Sequence, residues 1–167
     1  MKRPVVAYGI WIKEDKIFLL ERNVREYRLP WPTVWEPPGG RIEWGENPAD
    51  AAIREFQEET GLHAYNPRFL GLVRDDDSYG RRNALFFLVD AEEGNVKLGD
   101  PEHVGWRFIP LDEAARLENL ALSSVAALYL LREWGLWDGE IKMSAKNYHR
   151  LEVFLPHRGC SRREQRR

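Results

Sequence analysis

The sequence has only one cysteine, Cys160, so no intrachain disulfide bond can form. This scarcity is typical of proteins in a reducing compartment, and we expect the protein to be cytoplasmic. No stretch approaches the roughly 18 consecutive apolar residues that a membrane-spanning helix requires. The apolar run Val5–Ile12 ends in charged residues and lacks a small-residue cleavage site, so it is not typical of a signal peptide. We therefore expect no membrane partner.

An excess of charge of either sign is also absent, since the formal net charge is -2. A chain with this balance lacks the basic surface on which nucleic-acid-binding proteins depend, so a nucleic-acid partner is not expected. An anionic ligand must instead be bound by a local site that contains metal or a few basic side chains. What the sequence does contain is 43% hydrophobic residues over 167 positions, which is enough for the core of one domain.

We predict that one domain occupies residues 1–140 and that residues 141–167 form a C-terminal extension. The extension contains one strand-like segment, Leu151–Leu155, and ends in a flexible arginine-rich tail that begins at His157. No internal repeat or linker divides the chain further. Association into a homodimer is left open by these observations.

Several short segments are rich in β-branched and aromatic residues, which predicts strands. The predicted strands are Val5–Ile12 and Lys16–Leu20, joined as a hairpin, and then Phe69–Val73, Ala84–Val89 and Val104–Ile109. We expect a loop over 22–33, and we expect the acidic run 75–77 to lie in a solvated turn. A helix is expected from a cap at Ser123 or Ser124 to about Trp134. Because strands and helices do not alternate strictly, the pattern favours an α+β fold.

The strongest local signal is a helix between Asn47 and Gly61. Asn47 is a typical N-cap, Pro48 suits the first helical position, and Gly61 suits the residue that ends a helix. One narrow face of this helix is mostly apolar and is predicted to pack on the core. This face contains Ala49, Ala52, Ile53, Phe56 and Thr60.

A second face of the same helix is acidic. Glu55, Glu58 and Glu59 have the spacing that brings side chains together on a helix, where their charges repel one another. A divalent cation removes this repulsion, and hard oxygen ligands suit Mg²⁺ or Mn²⁺. Three glutamates alone are more often a solvated surface, so the metal interpretation depends on the residues around them.

Those residues complete a known pattern. Gly40 and Glu46 precede the segment Arg54–Leu62, which contains the Arg-Glu pair, an apolar residue, the Glu-Glu pair, a glycine and a final apolar residue. This arrangement resembles the Nudix box of the Nudix (MutT-like) hydrolases, and every fixed position of the box is filled. A match of this length is highly specific. The resemblance extends more loosely from about Val5 to Trp134.

The resemblance implies a Nudix fold, which is a mixed β-sheet sandwiched between α-helices. It implies that Glu55, Glu58 and Glu59 ligate Mg²⁺ or Mn²⁺, with the carbonyl of Gly39 as a further ligand. It also implies that Arg54 orients the site. Glu46 would hold the guanidinium of Arg54, a geometry that a carboxylate suits well.

Other roles implied by the resemblance stay open at the level of the sequence. The residue that activates water is Glu55 or Glu59, or else Glu102 in the loop before Val104. Arg22 and Arg41 flank the box and are candidates to hold phosphates, and Tyr79 is a weaker candidate for substrate binding. Four tryptophans are candidates to stack on a base, namely Trp31, Trp35, Trp44 and Trp106. The four histidines show no metal-ligand spacing and are predicted to be incidental.

The expected activity is hydrolysis of a diphosphate linkage in a nucleoside diphosphate linked to a group X. The substrate would be a nucleoside triphosphate, a nucleotide sugar or a dinucleoside polyphosphate. The alternatives are an RNA 5′-end pyrophosphohydrolase and a non-catalytic nucleotide-sensing module. An isopentenyl diphosphate isomerase is disfavoured, because its chemistry relies on a catalytic cysteine and Cys160 lies in the predicted tail.

Overall fold

The computed structural model describes residues 4–77, 80–141, 151–156 and 159–163. The strands are β1 Val5–Ile10, β2 Ile12–Lys13, β3 Lys16–Asn23, β4 Thr33–Glu36, β5 Gly39–Arg41, β6 Ala64–Asp77, β7 Gly80–Ala91, β8 His103–Pro110, β9 Leu151–Leu155 and β10 Gly159–Arg163. The helices are α1 Pro48–Thr60, α2 Leu111–Ala114 and α3 Leu122–Glu133, and a 3-10 helix covers Arg25–Tyr27. Within the described ranges, no helix is long and apolar enough to cross a membrane.

The strands form two sheets. The larger sheet has the strand order β10-β9-β6-β7-β1-β5, in which β1 and β7 are parallel and the other neighbours are antiparallel. In the smaller sheet, β3 is the central strand and pairs antiparallel with β2, β4 and β8. The larger sheet is therefore mixed, as the Nudix resemblance implies.

Helices cover both faces of the larger sheet, and the alternation along β1 shows this directly. Val6, Tyr8 and Ile10 belong to the core cluster that contains α3. Ala7, on the opposite face of the strand, belongs to the cluster that contains α1. The prediction of an α+β fold with a mixed sheet between helices is confirmed.

The expected strand Val5–Ile12 is in fact two strands, so this prediction is wrong in its boundary. The chain leaves the larger sheet after Ile10 and enters the smaller sheet at Ile12. Between them, the buried ring of Trp11 packs against Phe18 and Phe56. The hairpin to β3 is confirmed, and its two-residue turn has positive φ at both positions, as hairpin turns of this length require.

The expected loop over 22–33 and the expected turn at 75–77 are partly ordered into elements, and so is the segment Pro37–Gly40. The segment expected to be a loop over 22–33 begins with the end of β3 and contains the 3-10 helix Arg25–Tyr27. The Pro-Gly cluster after Glu36 leads into β5, which pairs with β1. The acidic run 75–77 lies at the end of β6 and not in a turn, because its backbone pairs in register with residues 80–82 of β7.

The helix α3 is confirmed, but its predicted serine cap is wrong. The N-cap is Ala121, without a side-chain hydrogen bond. The hydroxyl of Ser124 instead donates to the carbonyl oxygen of Trp35 at 2.8 Å. This hydrogen bond links α3 to β4, just before the segment Pro37–Gly40.

The strand Leu151–Leu155 is confirmed as β9, which pairs with β6 at the edge of the larger sheet. The expectation of a flexible tail from His157 is wrong over Gly159–Arg163, because these residues form β10 against β9. The tail was expected from its arginine content and its position near the end of the chain, whereas the pairing with β9 is a tertiary contact that neither feature indicates.

Candidate active site

The helix α1 is fixed at both ends and along one face. The side chain of Asn47 accepts a hydrogen bond from the amide of Ala49 at 2.9 Å, as an N-cap does. Gly61 ends the helix in the left-handed region, with φ of 71°, and its amide donates to the carbonyl of Gln57. The fully buried residues of the helix include Phe56, and Ala51 joins the predicted apolar face. The acidic face of α1 is therefore held in a rigid position.

Arg54 organises this acidic face. Its guanidinium donates to both carboxylate oxygens of Glu46, at 2.8 and 2.9 Å, and also to Glu55 at 2.9 Å and Glu58 at 3.3 Å. A further hydrogen bond, of 3.0 Å, goes to the carbonyl of Arg41. Hydrogen bonds from Arg54, and one from the amide of Glu43, lower the pKa of Glu46 to about 2. The bond to Glu46 in turn raises the pKa of Arg54, so both charges persist at any ordinary pH.

The carboxylate of Glu55 lies directly above Gly40. A Cβ atom added at Gly40 would stand 2.5 to 2.7 Å from the carboxyl atoms of Glu55, which is closer than such atoms approach in proteins. A side chain at this position would therefore displace the glutamate. Glu55 is 16% exposed, whereas Glu58 on the same face is 59% exposed. The first glycine of the box thus makes room for its first helical carboxylate.

Glu59 is the most perturbed carboxyl group of the site. One of its oxygens accepts a long hydrogen bond of 3.4 Å from the amide of Gly39. Burial, reinforced by the nearby carboxylates of Glu36 and Glu55, raises the pKa of Glu59 to about 9, against the opposing effect of the Gly39 amide. A group that titrates so far from its ordinary range beside other acids is typical of a functional site.

A second charged cluster lies beside Glu59, and its members come from three strands and a loop. Arg22, at the end of β3, donates to Glu36 of β4 at 3.2 Å and also contacts the carboxylate of Glu102. The ring of His103 contacts the same oxygen of Glu36 at 2.9 Å. The backbone of Glu102 accepts a hydrogen bond of 2.8 Å from the amide of Asn23, which fixes the loop to β3.

Sequence reasoning singled out neither Glu36 nor the contact that His103 makes with it. The His103 side chain is only 1% exposed and contacts Glu36, so it is not an incidental surface histidine. The two residues are far apart along the chain and share no motif spacing. The sequence feature that could have indicated Glu36 is its position as the one acidic residue between Trp35 and Pro37, directly before the segment Pro37–Gly40.

The remaining sequence candidates are more scattered. Arg41 is exposed, and Tyr79 lies outside the described residues. Among the tryptophans, Trp35 is buried in the core, while Trp44 is 97% exposed. Trp106 is 41% exposed and stacks on Phe18 with ring centroids 5.6 Å apart. The structure therefore brings together the acids of α1 with Glu36, Glu102 and Arg22, and leaves Arg41 at their edge.

The donor set of the site suits a divalent metal. Among the described residues, no group of three His, Cys, Asp or Glu side chains is arranged to hold an ion. The groups themselves are oxygen donors, which hard cations prefer. Glu59 in addition is a buried carboxyl group beside other acids, and a cation would offset that environment. The chemistry of these groups therefore fits such an ion, and Arg54 contacts two of them, Glu55 and Glu58.

Comparison with known proteins agrees with this geometry. The chain is 36% identical over 100 residues to an ADP-ribose pyrophosphatase from Methanocaldococcus jannaschii, an alignment that covers 58% of this chain and 57% of the relative. It is 30% identical over 139 residues to an RNA pyrophosphohydrolase from Azorhizobium caulinodans, which covers 69% and 82% respectively. The chain spans less than two thirds of the length of the first curated relatives it matches.

The fold has close counterparts among solved structures. A MutT NUDIX hydrolase from Burkholderia pseudomallei superimposes with a TM-score of 0.67 and 24% identity, over 78% of this chain and 99% of that chain. The model of the NUDIX domain matches residues 2–130, which include both sheets' central strands and the whole of α1. On this evidence the chain belongs to the NUDIX domain family.

Proposed function

We propose that this protein hydrolyses a diphosphate linkage in a nucleoside diphosphate linked to a group X, in a reaction that depends on a divalent metal. The substrate class comprises nucleoside triphosphates, nucleotide sugars and dinucleoside polyphosphates. The observation that carries the proposal is the position of Glu59, a buried carboxyl group held at the amide of Gly39. Glu55 lies beside it over Gly40, on the same rigid helix.

Glu55, Glu58 and Glu59 would hold Mg²⁺ or Mn²⁺, with the carbonyl of Gly39 as a further ligand. When bound, such an ion polarises a phosphoryl oxygen and lowers the pKa of a bound water molecule. Charge neutralisation and positioning supply most of the rate in phosphoryl transfer. The cation would supply the first of these effects, and the acidic face of α1 would hold that cation in place. The fixed ends of α1 would contribute to the second.

Arg54 is proposed as a positioning residue, held by Glu46. Its guanidinium contacts Glu46, Glu55 and Glu58, so it sets the orientation of two proposed metal ligands without facing the substrate. Loss of Arg54 would leave three like charges on one helix face, where they repel one another.

Three residues remain proposed proton acceptors for the attacking water, namely Glu55, Glu59 and Glu102. The environment of Glu59 favours proton uptake most, since burial raises its pKa to about 9. Glu55 is held by Arg54, and Glu102 is held by Arg22. In each case an arginine occupies a carboxylate oxygen that the proton would otherwise reach.

Arg22, Arg41 and Tyr79 are proposed to bind the substrate. Arg22 is engaged by Glu36 and Glu102, so a substrate phosphate has to compete with one of these carboxylates for the guanidinium. The exposed side chain of Arg41 lies next to the box helix, where its carbonyl accepts from Arg54.

The test is a panel of nucleotides scored for release of phosphate or pyrophosphate in the presence of Mg²⁺ or Mn²⁺. We expect turnover of at least one nucleotide, loss of turnover in excess chelator, and loss in Glu58→Gln and Glu59→Gln with unchanged thermal unfolding. Full activity in either variant would remove that residue from the proposed metal site. Binding of nucleotides without any turnover would instead favour the non-catalytic sensing module.

An RNA 5′-end pyrophosphohydrolase is a second candidate, which the similarity to the Azorhizobium caulinodans protein favours. The balanced charge of the chain argues against it, because RNA binding usually requires a basic surface. Triphosphorylated RNA in the same panel separates the two functions. Release of pyrophosphate from RNA at a higher kcat/KM than from every free nucleotide would support the second candidate.

We further propose that residues 1–140 form the catalytic domain and residues 141–167 an extension, and that the protein acts in the cytoplasm. Because β9 pairs with β6, removal of residues 141–167 would expose an edge of the larger sheet. We therefore expect the truncated chain to keep its activity but to aggregate more readily. Sedimentation velocity of the full chain decides between a monomer and the homodimer.

A further inference from the structure

The carboxylate of Glu36 is bound on one side only. Both of its hydrogen bonds, from Arg22 and from His103, go to the same oxygen, Oε1. The other oxygen, Oε2, has no hydrogen-bond partner among the described residues. The side chain is 16% exposed, so it remains accessible to a small group in the site. Arg22 and His103 thus hold the Oε1 edge of the carboxylate. The Oε2 edge, which has no partner among the described residues, is called the vacant edge below.

His103 is suited to hold this edge permanently. Its side chain is 1% exposed, and its Nδ1 atom has no hydrogen-bond partner among the described residues. A buried N–H group without a partner is costly, so the proton of the neutral ring belongs on Nε2, which then donates to Glu36. Arg22 donates to the same oxygen, so two donors together fix the orientation of the Glu36 side chain.

The vacant edge lies at the centre of the proposed reaction site. Glu36 is the charged group that most strongly raises the pKa of Glu59, which means that the two carboxyl groups are neighbours. The chain continues from Glu36 through two prolines to Gly39, whose amide holds Glu59. A substrate whose diphosphate lies at Glu59 would therefore have the Glu36 carboxylate beside it.

We propose that Oε2 of Glu36 accepts a hydrogen bond from the nucleoside part of the substrate, so that Glu36 helps to select the nucleoside. An ionised carboxylate is an acceptor only, and the phosphates of a nucleotide carry no hydrogen-bond donor at neutral pH. The available donors are an N–H group of the base or a hydroxyl group of the sugar. This inference rests on the proposed function, because it takes the diphosphate to lie at Glu59.

The variant Glu36→Gln replaces the acceptor atom Oε2 by an NH₂ group, which is a donor, and keeps the size of the side chain nearly constant. His103 and Arg22 both donate, so they retain the oxygen of the new amide and leave its NH₂ group facing the substrate. This NH₂ group would then face the N–H or O–H donor of the nucleoside, and no hydrogen bond could form between them. We expect kcat/KM for the preferred nucleotide to fall roughly 10- to 100-fold, which is the usual range for a hydrogen bond to a charged group.

A set of adenine nucleotides identifies the contacted donor. ATP is compared with purine riboside triphosphate, which lacks the amino group, and with 2′-deoxy-ATP and 3′-deoxy-ATP, which each lack one hydroxyl. Deletion of the contacted donor should cost the wild-type enzyme roughly tenfold and cost Glu36→Gln much less. Sensitivity to the amino group assigns the contact to the base, and sensitivity to a hydroxyl assigns it to the sugar. Equal losses in both proteins for all three analogues overturn the proposal.

His103 is tested as a positioning residue through the same discrimination. His103→Gln keeps an N–H donor and should retain the wild-type preference, whereas His103→Phe removes the donor and should lose the preference. Thermal unfolding is measured for each, and His103→Asn replaces His103→Gln if the latter does not fold. If His103→Phe folds and retains the full preference, His103 has no positioning role and this part of the proposal is wrong.

Two controls separate this inference from the proposed function. The affinity of Glu36→Gln for Mn²⁺ should not fall below that of the wild type, because loss of the Glu36 charge favours ionisation of Glu59. A large loss would mean that Glu36 acts on the metal and would overturn the proposal. Binding of α,β-methylene-ATP, which resists hydrolysis, should weaken roughly tenfold in Glu36→Gln. If the wild type binds this analogue but hydrolyses no nucleotide, the proposed function fails while the binding difference still tests Glu36.

Discussion

The raised pKa of Glu59 predicts that metal binding is linked to release of a proton. Burial, reinforced by Glu36 and Glu55, raises this pKa to about 9. Two pH units below its pKa, a carboxyl group is about 99% protonated, whereas a metal ligand must be deprotonated. Binding of Mn²⁺ at pH 7 should therefore release close to one proton. The association constant should rise about tenfold per pH unit between about pH 6 and pH 8.

Calorimetric titration with MnCl₂ in two buffers of different ionisation enthalpy measures this proton directly. We expect the observed enthalpy to differ between the buffers by about one ionisation enthalpy at pH 7, since about one proton is released. In Glu59→Gln, which imitates the protonated side chain, Mn²⁺ should bind weakly and release no proton. An affinity of the wild type that is independent of pH between 6 and 8 would refute the reasoning.

The same shift has a consequence for stability in the absence of metal. The folded-state pKa of Glu59 lies above its ordinary value of 4.5. Its contribution to stability is therefore fully present below pH 4.5 and is lost as the pH rises through about 9. With chelator present, the free energy of unfolding should fall between pH 6 and pH 8, by at most about 1.4 kcal/mol per pH unit. Urea unfolding should show a smaller fall in Glu59→Gln, and an equal fall in both proteins would contradict the assignment.

Two further substitutions test the support around the helix acids. Gly40→Ala places a Cβ atom within 2.7 Å of the Glu55 carboxyl group, so we expect kcat to fall roughly tenfold or more. Gly94→Ala is the control, because its Cβ meets only an ordinary contact at 3.5 Å and should leave kcat unchanged. Glu46→Gln removes the charge that holds Arg54 and should lower kcat. Because the pKa of Glu46 is lowered to about 2, its stabilising effect is present above pH 4.5 and is lost as the pH falls to about 2. The variant's unfolding midpoint in urea should therefore depend less on pH over that range, and parallel acid profiles would contradict this role.

Helix α1 and the identity of its acids could be predicted because their signals are local. Asn47, Pro48 and Gly61 mark the two ends of the helix within the sequence itself, and the spacing of Glu55 and Glu59 assigns them to one face. The strand boundary at Trp11 could not be predicted in this way. The β-branched and aromatic character continues across it, and only the pairing partners change from one sheet to the other.

The contact between Glu36 and His103 could not be predicted from spacing. It forms because β3 pairs with β4 on one side and with β8 on the other, so that residues distant in the sequence approach Arg22 together. The hydroxyl of Ser124 likewise serves a contact to Trp35 that the local sequence does not indicate. Tertiary pairing decides both features, and a single sequence carries little information about it.

The central claim is that the acidic face of α1 supports attack of water on phosphorus. Hydrolysis of the best nucleotide in H₂¹⁸O, followed by mass spectrometry of both products, tests this claim most directly. We predict one ¹⁸O atom in a phosphoryl product of the wild type with Mg²⁺, and no labelled product in excess chelator or with Glu59→Gln. Turnover that persists in excess chelator, or label on X with none on phosphorus, would contradict the claim.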